Sequence, residues 1–496
     1  MRRLTWNRLG RVAGYLWLCF LAITLWVSAQ NAYRLSLATE EYPYACDSFG
    51  YLEMAKEIRQ AAARLEVPTF DLKSRQTDLL VNLMRERNLP PPRWNNLVGP
   101  HAYHYFPKAG HVGVQYPPGT GLTLALFPER KAVRGLNRAV VSLLFAAGIV
   151  ALLVAALRRA WASAGLVVLA VHVGLGILIR LGPLSFSINV VLVPLLAACL
   201  LSLAALWLKA GTPGWPRLAW LSAFGAGLCL GYATLVRLPS ILFVPGFLLL
   251  LWPRGGAWRK AFGGLPGALC LAVIVGGLIP LFVHQQLTAG AWYVSTYSPS
   301  VRPNLPTPEI LRFNTSYYFG TGYPTEDNWS LLCLLAGFLG GLLFAYARRR
   351  PFYSARLGLG WGRLTLSALA LWAIPTGFFL TQKLTGLHYA MSQTFAALAL
   401  VGFGALAIEN TSGRGEEGRE SNSRLAVSAL ALCLALVPGV AAFRRAWSAR
   451  AASPAPAQEA RQPLILPAEL SDERAWVWAD LLTGTLWYYA NKPAFR

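Results

Sequence analysis

Long uninterrupted apolar runs constrain this chain more than any other feature. Val140–Leu157, Ile188–Leu208 and Ala261–Val283 each approach the roughly 20 residues that a helix needs to cross a bilayer. Composition points the same way. Of 496 residues, 55% are hydrophobic and only 14% are charged, against about 25% charged in a soluble domain. The mean hydropathy of +0.43 excludes a disordered chain. The expected class is therefore an all-α polytopic membrane protein with about 11 transmembrane helices.

The formal charge is +23, from 45 Lys+Arg against 22 Asp+Glu. Nucleic acid is the first partner to weigh for so basic a chain, but no basic arm interleaved with aromatics is present. The basic residues instead flank apolar runs, as at Arg158–Arg159 and Arg348–Arg350, where cytoplasmic loops retain them. The expectation is a membrane partner and no nucleic acid. Six of the seven cysteines lie in apolar runs and Cys46 alone lies in a polar segment, so no disulfide framework can be drawn.

Hydropathy and flanking charge put the first span at Val12–Ala29. It is long enough to remain as a helix, although Arg2, Arg3, Arg8 and Arg11 ahead of it also resemble the start of a cleavable signal. Later spans are expected near Asn137–Leu157, Gly165–Leu181, Phe186–Leu208, Leu218–Val236, Ser240–Trp252, Ala261–His284, Asn328–Tyr346, Leu364–Thr381, His388–Ile408 and Leu425–Phe443. The positive-inside rule then places the N-terminus in the cytoplasm and the C-terminus outside. Residues 1–443 form the membrane domain, with a first outer loop at 30–136 and a second at 285–327; 444–496 form a small outer tail. Strand-like Leu464–Leu466 and Trp476–Trp478, with a helix at Leu482–Tyr489, give that tail an α/β character. In the first loop, Gly50–Glu66 has the spacing of an amphipathic helix lying on the membrane surface, and Gly119–Phe127 is apolar but too short to cross.

Chemistry collects at the outer ends of these helices. No Asp or Glu occurs between Glu129 and Glu309, so no expected span carries a carboxylate in its middle. Coupled transporters usually need one there. Asp47 precedes the amphipathic helix, where it either caps the helix or serves as a general base on a hydroxyl; the roles are compatible. His101, His104 and His111 lack the helical context and acidic neighbour of a zinc site, so no metal is favoured. Lys108 and His111 suit contact with phosphate, or else with solvent and headgroups. Arg237, before Leu238-Pro239, either snorkels or forks onto phosphate oxygens; Arg180 fits snorkelling better. His388-Tyr389 opens a later span on the same side and would complete an anion-binding pocket.

Four segments in order resemble the membrane-embedded GT-C glycosyltransferases, whose members include protein O-mannosyltransferases and lipid A aminoarabinose transferases. They are Cys46-Asp47-Ser48-Phe49-Gly50-Tyr51-Leu52 after the first helix, and Tyr105-Phe106-Pro107-Lys108 with Tyr116-Pro117-Pro118-Gly119-Thr120. The third is Leu230–Pro239, Gly-containing and ending in Arg237-Leu238-Pro239, and the fourth is Asp480–Tyr489 in the tail. The chain departs from that pattern in having Ser48 where relatives often have a second acid, and His388-Tyr389 where they often have Arg-Tyr. The resemblance implies a plasma-membrane (in a two-membrane cell, inner-membrane) enzyme of the cell envelope. It would move a sugar from a polyprenyl-phosphate donor to a hydroxyl on a glycan, lipid or protein acceptor, with inversion and without a cofactor. Asp47 would be the catalytic base. Lys108, Arg237, His388, Tyr389 and His111 would hold the donor phosphate. Glu326-Asp327 fits a helix cap better than a divalent-ion site. The other classes compatible with the residues are a transporter or flippase of lipid-linked intermediates, and an inactive scaffold of GT-C type.

Overall fold

The computed structural model describes residues 2–38, 46–95, 97–181, 186–211, 216–253, 263–297, 306–319, 353–354, 359–382, 387–411, 477–478 and 494–495. Helices dominate, and seven of them are long and apolar enough to cross a membrane. They are α1 (Arg2–Ala38), α5 (Ala132–Arg158), α7 (Phe186–Gly211), α8 (Pro216–Val236), α10 (Leu265–Ala289), α12 (Trp361–Leu380) and α13 (Leu387–Thr411). Two shorter apolar helices accompany them: α6 (Trp161–Leu181), and α9 (Val244–Leu251), which continues a 3-10 run at Leu238–Phe243. The chain is a polytopic, mainly helical membrane protein. The spans expected at Asn328–Tyr346 and Leu425–Phe443 lie outside the described residues, as do Leu464–Leu466 and Leu482–Tyr489.

These helices are apolar on all sides, which suits a segment packed on protein along one stripe and on lipid along the rest. In α1, Leu18, Leu21, Leu25, Ala29 and Ala32 are buried at helical spacing, while Leu16, Ile23, Trp26 and Val27 are exposed. α13 is the most enclosed span. α8 crosses α10 at glycines. A Cβ on Gly227 would stand 2.3 Å from Leu269 O, and one on Gly277 would stand 2.6 Å from the Gly231 Cα. At that crossing α10 carries a π-turn, Ile274–Leu278, just ahead of Pro280. Proline lacks an N–H and clashes with the carbonyl four residues back, and the wider turn absorbs the misfit.

The long loop between α1 and α5 is folded. It contains α2 (Cys46–Arg64), α3 (Arg75–Glu86), a hairpin of β1 (Tyr103–Phe106) and β2 (His111–Val114), and α4 (Gly119–Ala125). α3 starts on Ser74, whose side chain accepts from the Thr77 N–H. The hairpin is antiparallel, pairing Tyr103 with Val114 and Phe106 with His111. Its turn closes on Gly110 at φ +78°, a left-handed position suited to glycine.

Two expectations change here. The stretch holding His101–His111 reads as loop in the sequence but forms this hairpin, which the 70–72 segment extends through Leu72 N–H to Val112 O at 2.8 Å. The amphipathic helix expected at Gly50–Glu66 forms within α2, but its start at Ser48–Leu52 is buried all round, and partly exposed positions begin only at Glu53. Elsewhere, two short pairs close the list of described strands. β3 (Tyr353–Ser354) pairs with β4 (Leu359–Gly360), and in the tail β5 (Val477–Trp478) runs parallel to β6 (Ala494–Phe495).

Candidate functional site

Four sequence segments meet where the loop between α1 and α5 rests on the bundle. The centre is Tyr116-Pro117-Pro118-Gly119. Gly119 lies so close to the end of α8 that an added Cβ would stand 2.6 Å from Val236 N and from Leu235 C. The Gly119 carbonyl accepts from the Tyr232 hydroxyl at 2.9 Å and from Thr123 Oγ1 at 3.0 Å. Arg237 follows at once. It ends α8 in an extended conformation, is half-buried, and donates its backbone N–H to Ala233 O at 2.8 Å.

α2 packs on the same segment. The Tyr51 and Tyr116 rings lie 4.7 Å apart, Gly50 fits against Ala102 and Tyr116, and Gly121 fits against Met54. Asp47 stands in the first turn of α2, four residues before Tyr51 and so on the same face. Its side chain lies outside the described residues, as do those of Arg180, His388 and Tyr389. His388 and Tyr389 occupy the first turn of α13.

α10 supplies the third wall. His284 is 3% exposed and its Nε2 lies 3.1 Å from the Tyr116 carbonyl. A carbonyl only accepts, so Nε2 carries the proton and Nδ1 accepts from the Thr288 hydroxyl at 3.4 Å. The His284 ring meets Phe70 edge-on at 5.2 Å.

Lys108 and His111 lie at the other end of the hairpin. Three residue steps of roughly 3.3 Å each separate the Tyr103–Val114 rung from the Phe106–His111 rung at that end. The Lys108 ammonium donates to the Tyr293 hydroxyl and stands 4.4 Å from that ring's centre, so an aromatic neighbour holds it rather than water alone. Tyr297, four residues on, meets Tyr116 edge-on at 5.9 Å, so the segment after α10 touches both ends of the arrangement. His111 Nε2 lies 3.0 Å from Asp71 Oδ1. That hydrogen bond raises the His111 pKa, which burial opposes.

Acid residues on the later turns of α2 form a separate group. Burial pushes Glu57 up to about 7, and the neighbouring Asp71 charge adds to the rise. Glu53 is raised by burial too, although Lys56 lies 3.6 Å away. Among the described residues no three His, Cys, Asp or Glu side chains gather closely enough to hold a metal ion.

The structure thus brings the helix of Asp47, the Pro-Pro-Gly segment and Arg237 into one assembly, and sets Lys108 and His111 a strand's length from it. Sequence reasoning missed His284 and Asp71, and gave Tyr51 and Tyr232 no role beyond their place in the motifs. His284 carried the clearest signal, as a histidine at the end of an expected span. Comparison of the chain with protein-family models, with curated proteins and with solved structures finds no match.

Proposed function

We propose that this protein is a GT-C-like glycosyltransferase with about 11 spans, taking a sugar from a polyprenyl-phosphate donor at the non-cytoplasmic face of the plasma membrane. One observation carries the reading. Gly119 sits against the backbone of Val236, so the outer loop bearing Asp47 is fastened to the helix end bearing Arg237. An acid and a cation held on a folded platform at the end of a lipid-facing bundle suit a substrate with a hydrocarbon tail and a phosphate head.

In this reading Asp47 accepts the proton of the acceptor hydroxyl, whose oxygen attacks the anomeric carbon from the side opposite the phosphate. The C–O bond to phosphate breaks with its electron pair, and polyprenyl phosphate leaves. Negative charge grows on the phosphate oxygens, where a guanidinium fork is most effective. Arg237 takes that role, with His388 and Tyr389 from the start of α13. Lys108 and His111 serve the outer approach to the site.

Comparing cell-envelope glycans and lipid-linked sugars with and without the gene tests the reading. A transferase leaves a lipid-linked sugar accumulating and one sugar missing from a glycan. Unchanged glycans together with unchanged lipid-linked sugars would contradict it.

A further inference from the structure

α1 and α5 lie side by side, and their contact carries two aromatic rungs. At the loop-side end, the Arg138 guanidinium stands 5.0 Å from the centre of the Tyr33 ring. Seven residues further along each helix, Trp26 and Phe145 meet edge-on at 5.9 Å. Two helical turns separate the rungs, about 10 Å at 1.5 Å per residue. Both rungs are open to the surroundings of the bundle: Tyr33 is 38% exposed and Trp26 is 54% exposed. Val27, next to Trp26 on α1, is exposed too.

Among the described residues the cation at the upper rung makes no ion pair. Arg138 Nε is buried and makes no hydrogen bond. Arg134 stands one turn nearer the loop on the same face of α5, and Arg34 is exposed next to Tyr33. In sequence the flanking acids are Glu129 before α5 and Glu40-Glu41 after α1, and none follows Glu129 until Glu309. The rotation of α5 is fixed from its other side. Asn189 on α7 donates to Asn137 Oδ1 at 3.0 Å, both residues being buried, which turns Arg138 toward α1. Side chains on a helix lean toward its N-terminus, so Arg134 and Arg138 lean toward the membrane–water boundary.

We propose that Tyr33, Arg134 and Arg138, with the Trp26–Phe145 rung beneath them, form a binding site for an anionic phospholipid at the boundary beside the outer loop. The guanidinium groups take the phosphate, for which their planar fork is suited. The acyl chain lies along the exposed aromatic and aliphatic surface below. A head contact and a chain contact about 10 Å apart favour a lipid over free phosphate. The site is independent of the proposed sugar transfer and uses none of its residues.

The test is native mass spectrometry of the full-length protein released from bilayers of phosphatidylcholine containing a minority of phosphatidylglycerol. The wild type is expected to retain phosphatidylglycerol in preference to phosphatidylcholine. Arg138→Gln should weaken that retention about tenfold, the usual cost of losing a charged hydrogen bond. Arg138→Lys, which keeps the charge and controls for folding, should recover part of it. Millimolar glycerol 3-phosphate should leave the bound lipid in place. Equal retention by wild type and Arg138→Gln would overturn the proposal. Displacement by glycerol 3-phosphate would also overturn it, because the site would then read phosphate alone.

Discussion

The carbonyl of Gly119 accepts the Tyr232 hydroxyl at 2.9 Å, and the same glycine lies against the backbone of Val236. Two segments more than a hundred residues apart are joined at this point. One leads back through Tyr116 and Tyr51 to the helix of Asp47, and the other ends in Arg237.

Gly119→Ala should therefore be costly. Its Cβ meets backbone, which cannot swing aside as a flexible side chain would. We expect a loss of about 1–3 kcal/mol, typical of overpacking, read as a lower melting temperature of the purified protein. Gly362→Ala is the control, because a Cβ there meets nothing within 4 Å. A Gly119→Ala protein as stable as the control would show that the loop does not rest on α8 in this way.

The loop between α1 and α5 should loosen as pH rises. Burial raises Glu57 from 4.5 to about 7, and the Asp71 hydrogen bond raises His111 above 6.5. A raised folded-state pKa means that the folded state holds the proton more tightly. The contribution is complete below the unfolded value and is lost as pH rises through the folded one. Glu57 acts between 4.5 and about 7, and His111 acts from 6.5 upward. Hydrogen exchange of the Leu72 and Val114 amides, corrected for intrinsic rates, should show more protection at pH 5 than at pH 8. Glu57→Gln should flatten the lower part of this profile and His111→Gln the upper part. Equal protection at both pH values in the wild type would contradict the assignment.

Much of this architecture is legible in the sequence, for a plain physical reason. A span must be apolar along its whole length, so α1, α5, α7, α8, α10, α12 and α13 announce themselves by composition. The loop between α1 and α5 is harder to read. Ser48–Leu52 is buried on every side because α4, the hairpin and Tyr116 surround it, and helical periodicity reports a buried face only where another face is exposed. The hairpin strands are four residues each and rich in histidine and glycine, too short for a clear alternating pattern. For the candidate site, the sequence shows Asp47, Gly119 and Arg237 in order along the chain. The joining of the Gly119 segment to the helix that ends in Arg237 depends on the Tyr232 hydroxyl and on the absence of a Cβ at Gly119, which act across distant segments and leave no local pattern.

A second joint invites a sharper substitution. Helix α11 (Pro308–Phe319) carries Asn314, whose side-chain amide donates to Leu380 O and to Gln382 O, each at 2.7 Å, at the end of α12. Asn314 is 1% exposed. Asn314→Asp replaces the donor with a carboxylate facing those carbonyls, at the negative end of a helix dipole. We expect a larger loss than for Asn314→Ala, which should cost about 1–3 kcal/mol for the unsatisfied carbonyls. Thermal unfolding of both variants checks the order, and an aspartate variant no less stable than the alanine variant would contradict it.

Sugar transfer by Asp47→Asn tests the central claim most directly. Purified wild-type and variant protein in vesicles, given a polyprenyl-phosphate sugar donor and a cell-envelope acceptor extract, would be assayed for released polyprenyl phosphate. The account predicts that the variant folds and inserts as the wild type does, and transfers sugar about 100- to 10,000-fold more slowly, as befits a lost general base. A well-folded Asp47→Asn protein transferring sugar at the wild-type rate would contradict it.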